Sequence, residues 1–85
     1  MALYLLSYDL RGQRDYQTLW DELASFNAVR ILESDWCFKR INTTSVGLRD
    51  YFKKFIDADD GLFVAQISET DWASLRTRKS PKDLH

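Results

Sequence analysis

Residues 28–41, Ala28-Val29-Arg30-Ile31-Leu32-Glu33-Ser34-Asp35-Trp36-Cys37-Phe38-Lys39-Arg40-Ile41, decide the fold of this chain. Two runs rich in β-branched and aromatic residues flank a short polar break, which predicts extended structure. Arg30, Trp36 and Phe38 fall on one alternation parity, Ile31 and Cys37 on the other. The pattern fits one long bent strand, or two strands joined by a tight turn at Glu33-Ser34-Asp35.

Both flanks of this segment read as helices. Before it, Tyr16, Leu19, Trp20, Leu23 and Phe26 form one apolar stripe at helical spacing over residues 15–27. Asp15 is a candidate N-cap, and Asn27 a candidate left-handed stop. After it, Asn42-Thr43-Thr44-Ser45 is a run of helix-starting residues. Leu48, Tyr51, Phe52, Phe55 and Ile56 then make a second stripe, which Asp57-Ala58-Asp59-Asp60-Gly61 closes in a solvated turn.

The outermost elements read as strands. Leu3 to Asp9 is apolar on both parities, as expected of a central strand covered on both faces. Leu62 to Ile67 is the last strand. The order predicts an α+β, ferredoxin-like βαββαβ domain over residues 1–75, an antiparallel sheet with two helices on one face. Ser68-Glu69-Thr70-Asp71 has the spacing of a capping box and predicts a short helix carrying Trp72 and Leu75. Residues 76–85, polar and basic with one Pro, are expected to fray unless a partner orders them. With both helices on one face, a second copy of the chain is the simplest cover for the other, which predicts a homodimer.

Composition narrows the functions. A chain of 85 residues with 45% hydrophobic and 29% charged residues is a single small globular domain. Twelve Lys and Arg against thirteen Asp and Glu give a net charge of −1, which excludes a uniformly basic nucleic-acid coat but leaves room for a local basic patch. One cysteine excludes an internal disulfide, and one histidine argues against a His/Cys metal cluster. Any metal would sit on carboxylates, which points to Mg2+, Mn2+ or Ca2+. Residues 1–10 are too short an apolar run to span a bilayer and lack a basic flank, so no membrane association and a cytoplasmic location are expected. Asp57, Asp59, Asp60 and Gly61 lack the long loop and distal Glu of a calcium site. Ser7 and Ser34 have no histidine near them in sequence, which speaks against a Ser-His triad.

Three stretches together resemble the CRISPR-associated protein 2 family, whose fold is shared by virulence-associated protein D: Ser7-Tyr8-Asp9-Leu10, Val29-Arg30-Ile31-Leu32-Glu33-Ser34-Asp35-Trp36, and Ala65-Gln66-Ile67-Ser68-Glu69-Thr70-Asp71-Trp72. Asp35 departs from the hydrophobic residue usual there. The resemblance spans roughly residues 3–75 and implies a small homodimeric metal-dependent nuclease acting on RNA or DNA phosphodiesters. It places Asp9 at the metal position, where two symmetry-related copies would hold Mg2+ or Mn2+, and Tyr8 beside it in the catalytic site. It implies that Arg30 and Trp36, with Arg11 and Arg14 of the following loop, contact nucleic acid, and Ser34 matches the motif serine. Glu33 and Asp35 are the next carboxylates that could serve a metal. The alternatives are a catalytically silent dimeric nucleic-acid scaffold of the CRISPR adaptation kind, which would meet an integrase-type partner, or one half of a toxin–antitoxin pair, which would meet an antitoxin.

Overall fold

A computed structural model describes residues 1–12 and 15–84. Along the chain come β1 (Ala2–Asp9), α1 (Gln17–Ser25), β2 (Val29–Leu32), β3 (Asp35–Arg40), α2 (Ser45–Phe52) and β4 (Gly61–Ile67). The strands form one antiparallel sheet in the order β2-β3-β1-β4. The α+β class expected from the sequence is the class adopted, with a layout consistent with a ferredoxin-like type of fold.

The decisive segment is two strands. β2 and β3 meet at a turn over Glu33 and Ser34, and the register shifts between Arg30 and Leu32. The shift is a bulge, which sharpens the local twist and re-aims side chains. Arg30 still lies opposite Trp36, on the parity read from the sequence.

One face of the sheet carries both helices. Tyr4, Leu6 and Tyr8 of β1 pack with Trp36 and Phe38 of β3, Leu19 and Leu23 of α1, and Leu48 and Phe52 of α2. Each fully buried Leu or Phe contributes about 1.5–3 kcal/mol relative to exposure. Phe26 meets Phe38 edge-on at 5.4 Å and tilts onto Phe52 at 5.1 Å, which ties α1 and α2 to the sheet. α2 begins as its sequence requires: the Thr44 hydroxyl accepts the Gly47 N–H at 3.0 Å. α1 begins one residue later than Asp15 suggests, because Tyr16 occupies the cap position while the Asp15 carboxylate accepts the Gln17 N–H. Asn27 takes the left-handed conformation expected of it, with φ 57°.

The opposite face is not left bare. Leu3 and Cys37 are buried there, and the chain after β4 turns back across them. The Arg78 N–H donates to the Ile31 carbonyl of β2 at 2.9 Å, and a 3-10 turn over Pro81–Asp83 packs against the same strand. Burial pushes the Cys37 thiol up to about 11, with the Asp83 carboxylate above it adding to the shift.

Two expectations are corrected here. Residues 68–75 are not a helix. The Ser68 hydroxyl does accept the Thr70 and Asp71 N–H groups, as a cap would. A first helical turn, however, fixes several dihedrals for one hydrogen bond. The Trp72 indole N–H instead bonds the Glu69 carbonyl at 3.3 Å. Residues 77–84 pack on the domain and are not frayed: Ser80 is 5% exposed and Pro81 and Leu84 are half-buried. Cover that the sequence reading assigns to a second copy is supplied in part by this chain itself.

Candidate nucleic-acid interface

β1 ends at Asp9 beside the β2–β3 turn, so residues far apart in sequence meet there. Tyr8, Asp9, Trp20, Arg30, Glu33 and Ser34 line a cleft of about 230 Å3. Three of the candidate site residues, Tyr8, Asp9 and Arg30, therefore share one opening with Ser34, the motif serine.

Tyr8 organises it. Its ring is buried on the helix side of the sheet. Its hydroxyl accepts the indole N–H of Trp20 at 3.0 Å and that of Trp36 at 3.1 Å, and donates to the Glu33 carbonyl at 3.4 Å. A phenol offers one donor and two acceptor positions, so all are in use. The Tyr8 hydroxyl is thus spent on fixing two indoles and the Glu33 carbonyl.

Arg30 lies over those indoles. Its guanidinium carbon is 5.5 Å from the centre of the Trp20 ring and 5.5 Å from that of Trp36. A cation over an indole face gains about 0.5–2 kcal/mol, more as water is excluded. Its Nε and Nη2 donate to the Glu33 carbonyl. Among the described residues, no acceptor takes the two N–H groups of Nη1. A half-buried guanidinium with donors to spare can pair with an anionic oxygen. Trp36 itself is buried in the core, so it supports Arg30 from below, and Trp20 is the more accessible indole.

Asp9 and Arg11 neutralise each other. The Asp9 carboxylate accepts Arg11 Nε at 3.1 Å and Nη2 at 2.9 Å, and Arg11 Nη1 donates to the Asp59 carbonyl at 2.8 Å. Both side chains are well exposed, at 69% for Asp9 and 58% for Arg11. As a metal position Asp9 fits poorly within one chain: it is a lone carboxylate already paired to an arginine. Among the described residues, no three His, Cys, Asp or Glu come together to hold an ion. Glu33 is exposed and contributes its carbonyl to the cleft, and Asp35 stands opposite Ser7 on the other face of the sheet. Arg14 lies outside the described residues.

The residue that sequence reasoning missed is Asp60, taken as part of a solvated turn. Its carboxylate accepts the N–H groups of Arg11 at 2.6 Å, Gly12 at 3.1 Å and Asp57 at 2.7 Å, and the Tyr16 hydroxyl at 2.7 Å. Partial burial pushes this carboxyl up, but the Tyr16 hydroxyl and the backbone donors outweigh it and hold it at about 2. The same contacts raise the Tyr16 phenol, burial first and then the bond to Asp60. Asp60 thus ties the loop after β1 to the turn before β4. A β-carbon at Gly12 would fall 2.7 Å from the Tyr16 hydroxyl and 2.0 Å from Asp57 Oδ2, so a larger residue there would have to push those side-chain ends aside. Acidic turn residues are common, so only the spacing of Gly12 and Tyr16 hinted at this lock.

No protein-family model matches this chain, and no solved structure matches it significantly. Among the described residues no helix is long and apolar enough to cross a membrane.

Proposed function

We propose that this chain is a cytoplasmic nucleic-acid-binding module of the ferredoxin-like βαββαβ type, working as a homodimer. The observation that carries this reading is the Arg30 guanidinium, held by Trp20, Trp36 and the Glu33 carbonyl, with no acceptor for Nη1 among the described residues. A phosphate oxygen is the anion that such a fork takes best, and the neighbouring Trp20 edge supplies an apolar flank for an unpaired base. Single strands suit the site better than a duplex, because one arginine in a chain of net charge −1 makes few phosphate contacts.

The dimer is assigned to the free edge of β4. That strand ends the sheet, and Phe63 on it and Val46 beside it are 62% and 57% exposed. An open edge strand with apolar side chains is a template for pairing with a second copy.

Binding without cleavage is the expected activity, given the pairing of Asp9 with Arg11. Anisotropy with labelled single-stranded RNA and DNA, followed by electrophoresis with and without Mg2+, tests this. Wild type should bind and leave the strands intact, and Arg30→Ala should bind roughly tenfold more weakly, as loss of one charge-assisted contact implies. Mg2+-dependent cleavage that Asp9→Asn abolishes would replace this reading with the nuclease reading.

A further inference from the structure

At the opposite end of the sheet from the Arg30 cleft, where α1 and β3 end and α2 begins, Phe26, Arg40, Ile41, Thr43, Leu48 and Tyr51 line a second cleft of about 430 Å3. The two clefts share no residue. Small-ligand sites run about 300–1,000 Å3, so this volume suits a compact molecule. Much of the lining is apolar: Leu48 is buried, Phe26 is half-buried, and Ile41 is 60% exposed.

Arg40 brings the charge. It is half-buried, and its guanidinium carbon lies 3.8 Å from the centre of the Phe26 ring, a stacking distance. Stacking occupies a face of the guanidinium and leaves its edge, which carries the N–H groups, able to donate. Among the described residues no acceptor takes those N–H groups, no carboxylate pairs with Arg40, and none lines the cleft. The Glu22 carboxylate of α1 accepts the Tyr51 hydroxyl. The Lys54 ammonium lies 4.3 Å from the centre of the Tyr51 ring and adds positive charge here.

We propose that this cleft binds a small monocarboxylate with an apolar body, such as an aromatic acid. A carboxylate has two oxygens, and the planar guanidinium fork takes both at once. A phosphate brings further charged oxygens, which Phe26, Ile41 and Leu48 cannot bond. A neutral ring would meet the same apolar side chains and leave the cation unpaired.

The test uses the full chain and three probes, benzoate, inorganic phosphate and toluene, followed by the methyl NMR signal of Ile41. Benzoate should shift that signal saturably, and phosphate and toluene should bind at least about tenfold more weakly, as loss of a charge-assisted contact implies. Arg40→Met keeps an apolar chain over Phe26 and removes the charge. It should weaken benzoate at least about tenfold and leave toluene within about twofold. If Arg40→Met does not fold, Arg40→Lys, which keeps the charge and loses the fork, should still weaken benzoate by about threefold to tenfold. The proposal fails if benzoate gives no saturable shift, if phosphate or toluene binds as well, or if the folded variant binds benzoate like wild type. It fails likewise if the Ile41 signal moves with protein concentration alone, or with a single-stranded oligonucleotide that benzoate displaces, since a second copy or nucleic acid is then the occupant.

Discussion

The guanidinium of Arg30 and the indole of Trp36, neighbours across β2 and β3, stack at 5.5 Å over a tyrosine hydroxyl that holds the Trp36 N–H at 3.1 Å. The cation is therefore positioned from below by a chain of contacts that begins in the core. Tyr8→Phe removes the acceptor shared by both indoles while keeping the ring. It should destabilise the protein by about 1–3 kcal/mol, since the Trp36 N–H is left buried and unpaired. Urea denaturation monitored by tryptophan fluorescence measures this, and a change below about 0.5 kcal/mol would show that the hydroxyl does not hold the rings.

Acid should release the Asp60 lock. Its folded-state pKa of about 2 lies below its ordinary value of 3.8, so its contribution is fully present above pH 4 and is lost as the pH falls towards 2. Asp60→Asn should remove that part of the acid dependence and lower the melting temperature at pH 7. Melting curves of both proteins between pH 2 and 7 decide it: parallel profiles would contradict the assignment.

Cys37 should resist thiol reagents in the native protein. Its folded pKa of about 11 exceeds the ordinary 9.0, so the stability tied to the neutral thiol is present below pH 9 and is lost as the pH rises towards 11. Truncation after Leu75 removes Asp83 and the cover from Pro81. The shortened chain should melt lower and react with a thiol reagent at least tenfold faster at pH 8. Equal labelling rates would mean that the C-terminal segment does not cover the sheet.

Self-association should depend on the β4 edge. Phe63→Lys places a charge on the exposed apolar position of that strand, a device that discourages edge pairing. Sedimentation at tens of micromolar should show a dimer for wild type and a monomer for the variant. A wild-type monomer would remove the dimer from the account.

Much of the fold was legible because period and parity are local. The stripe Tyr16, Leu19, Trp20, Leu23 and Phe26 packs in or against the core as its spacing indicates, with Tyr16 also held in the Asp60 lock. The parity of Arg30, Trp36 and Phe38 likewise survives the bulge. The tight turn at Glu33-Ser34 was left open by the sequence because a bulge and a bend give the same short polar break. What stayed hidden depends on distant pairing. Trp20 reads as core from its helix, and only the approach of β2 sets Arg30 over it. Asp60 reads as solvent-facing, and only the loop after β1 fills its carboxylate with donors. The C-terminal segment reads as a tail because its apolar residues are few, yet a single bond from Arg78 to Ile31 and the turn at Pro81 lay it on the sheet.

The salt dependence of binding tests the central claim most directly. Affinity for a labelled single-stranded oligonucleotide is measured from low to moderate salt for wild type and for Arg30→Ala. If Arg30 takes a phosphate, the slope of log affinity against log salt should fall by about 0.7 in the variant, one released counterion on a single strand. Equal slopes, or no binding by wild type at low salt, would contradict the claim that the Arg30 cleft is a nucleic-acid site.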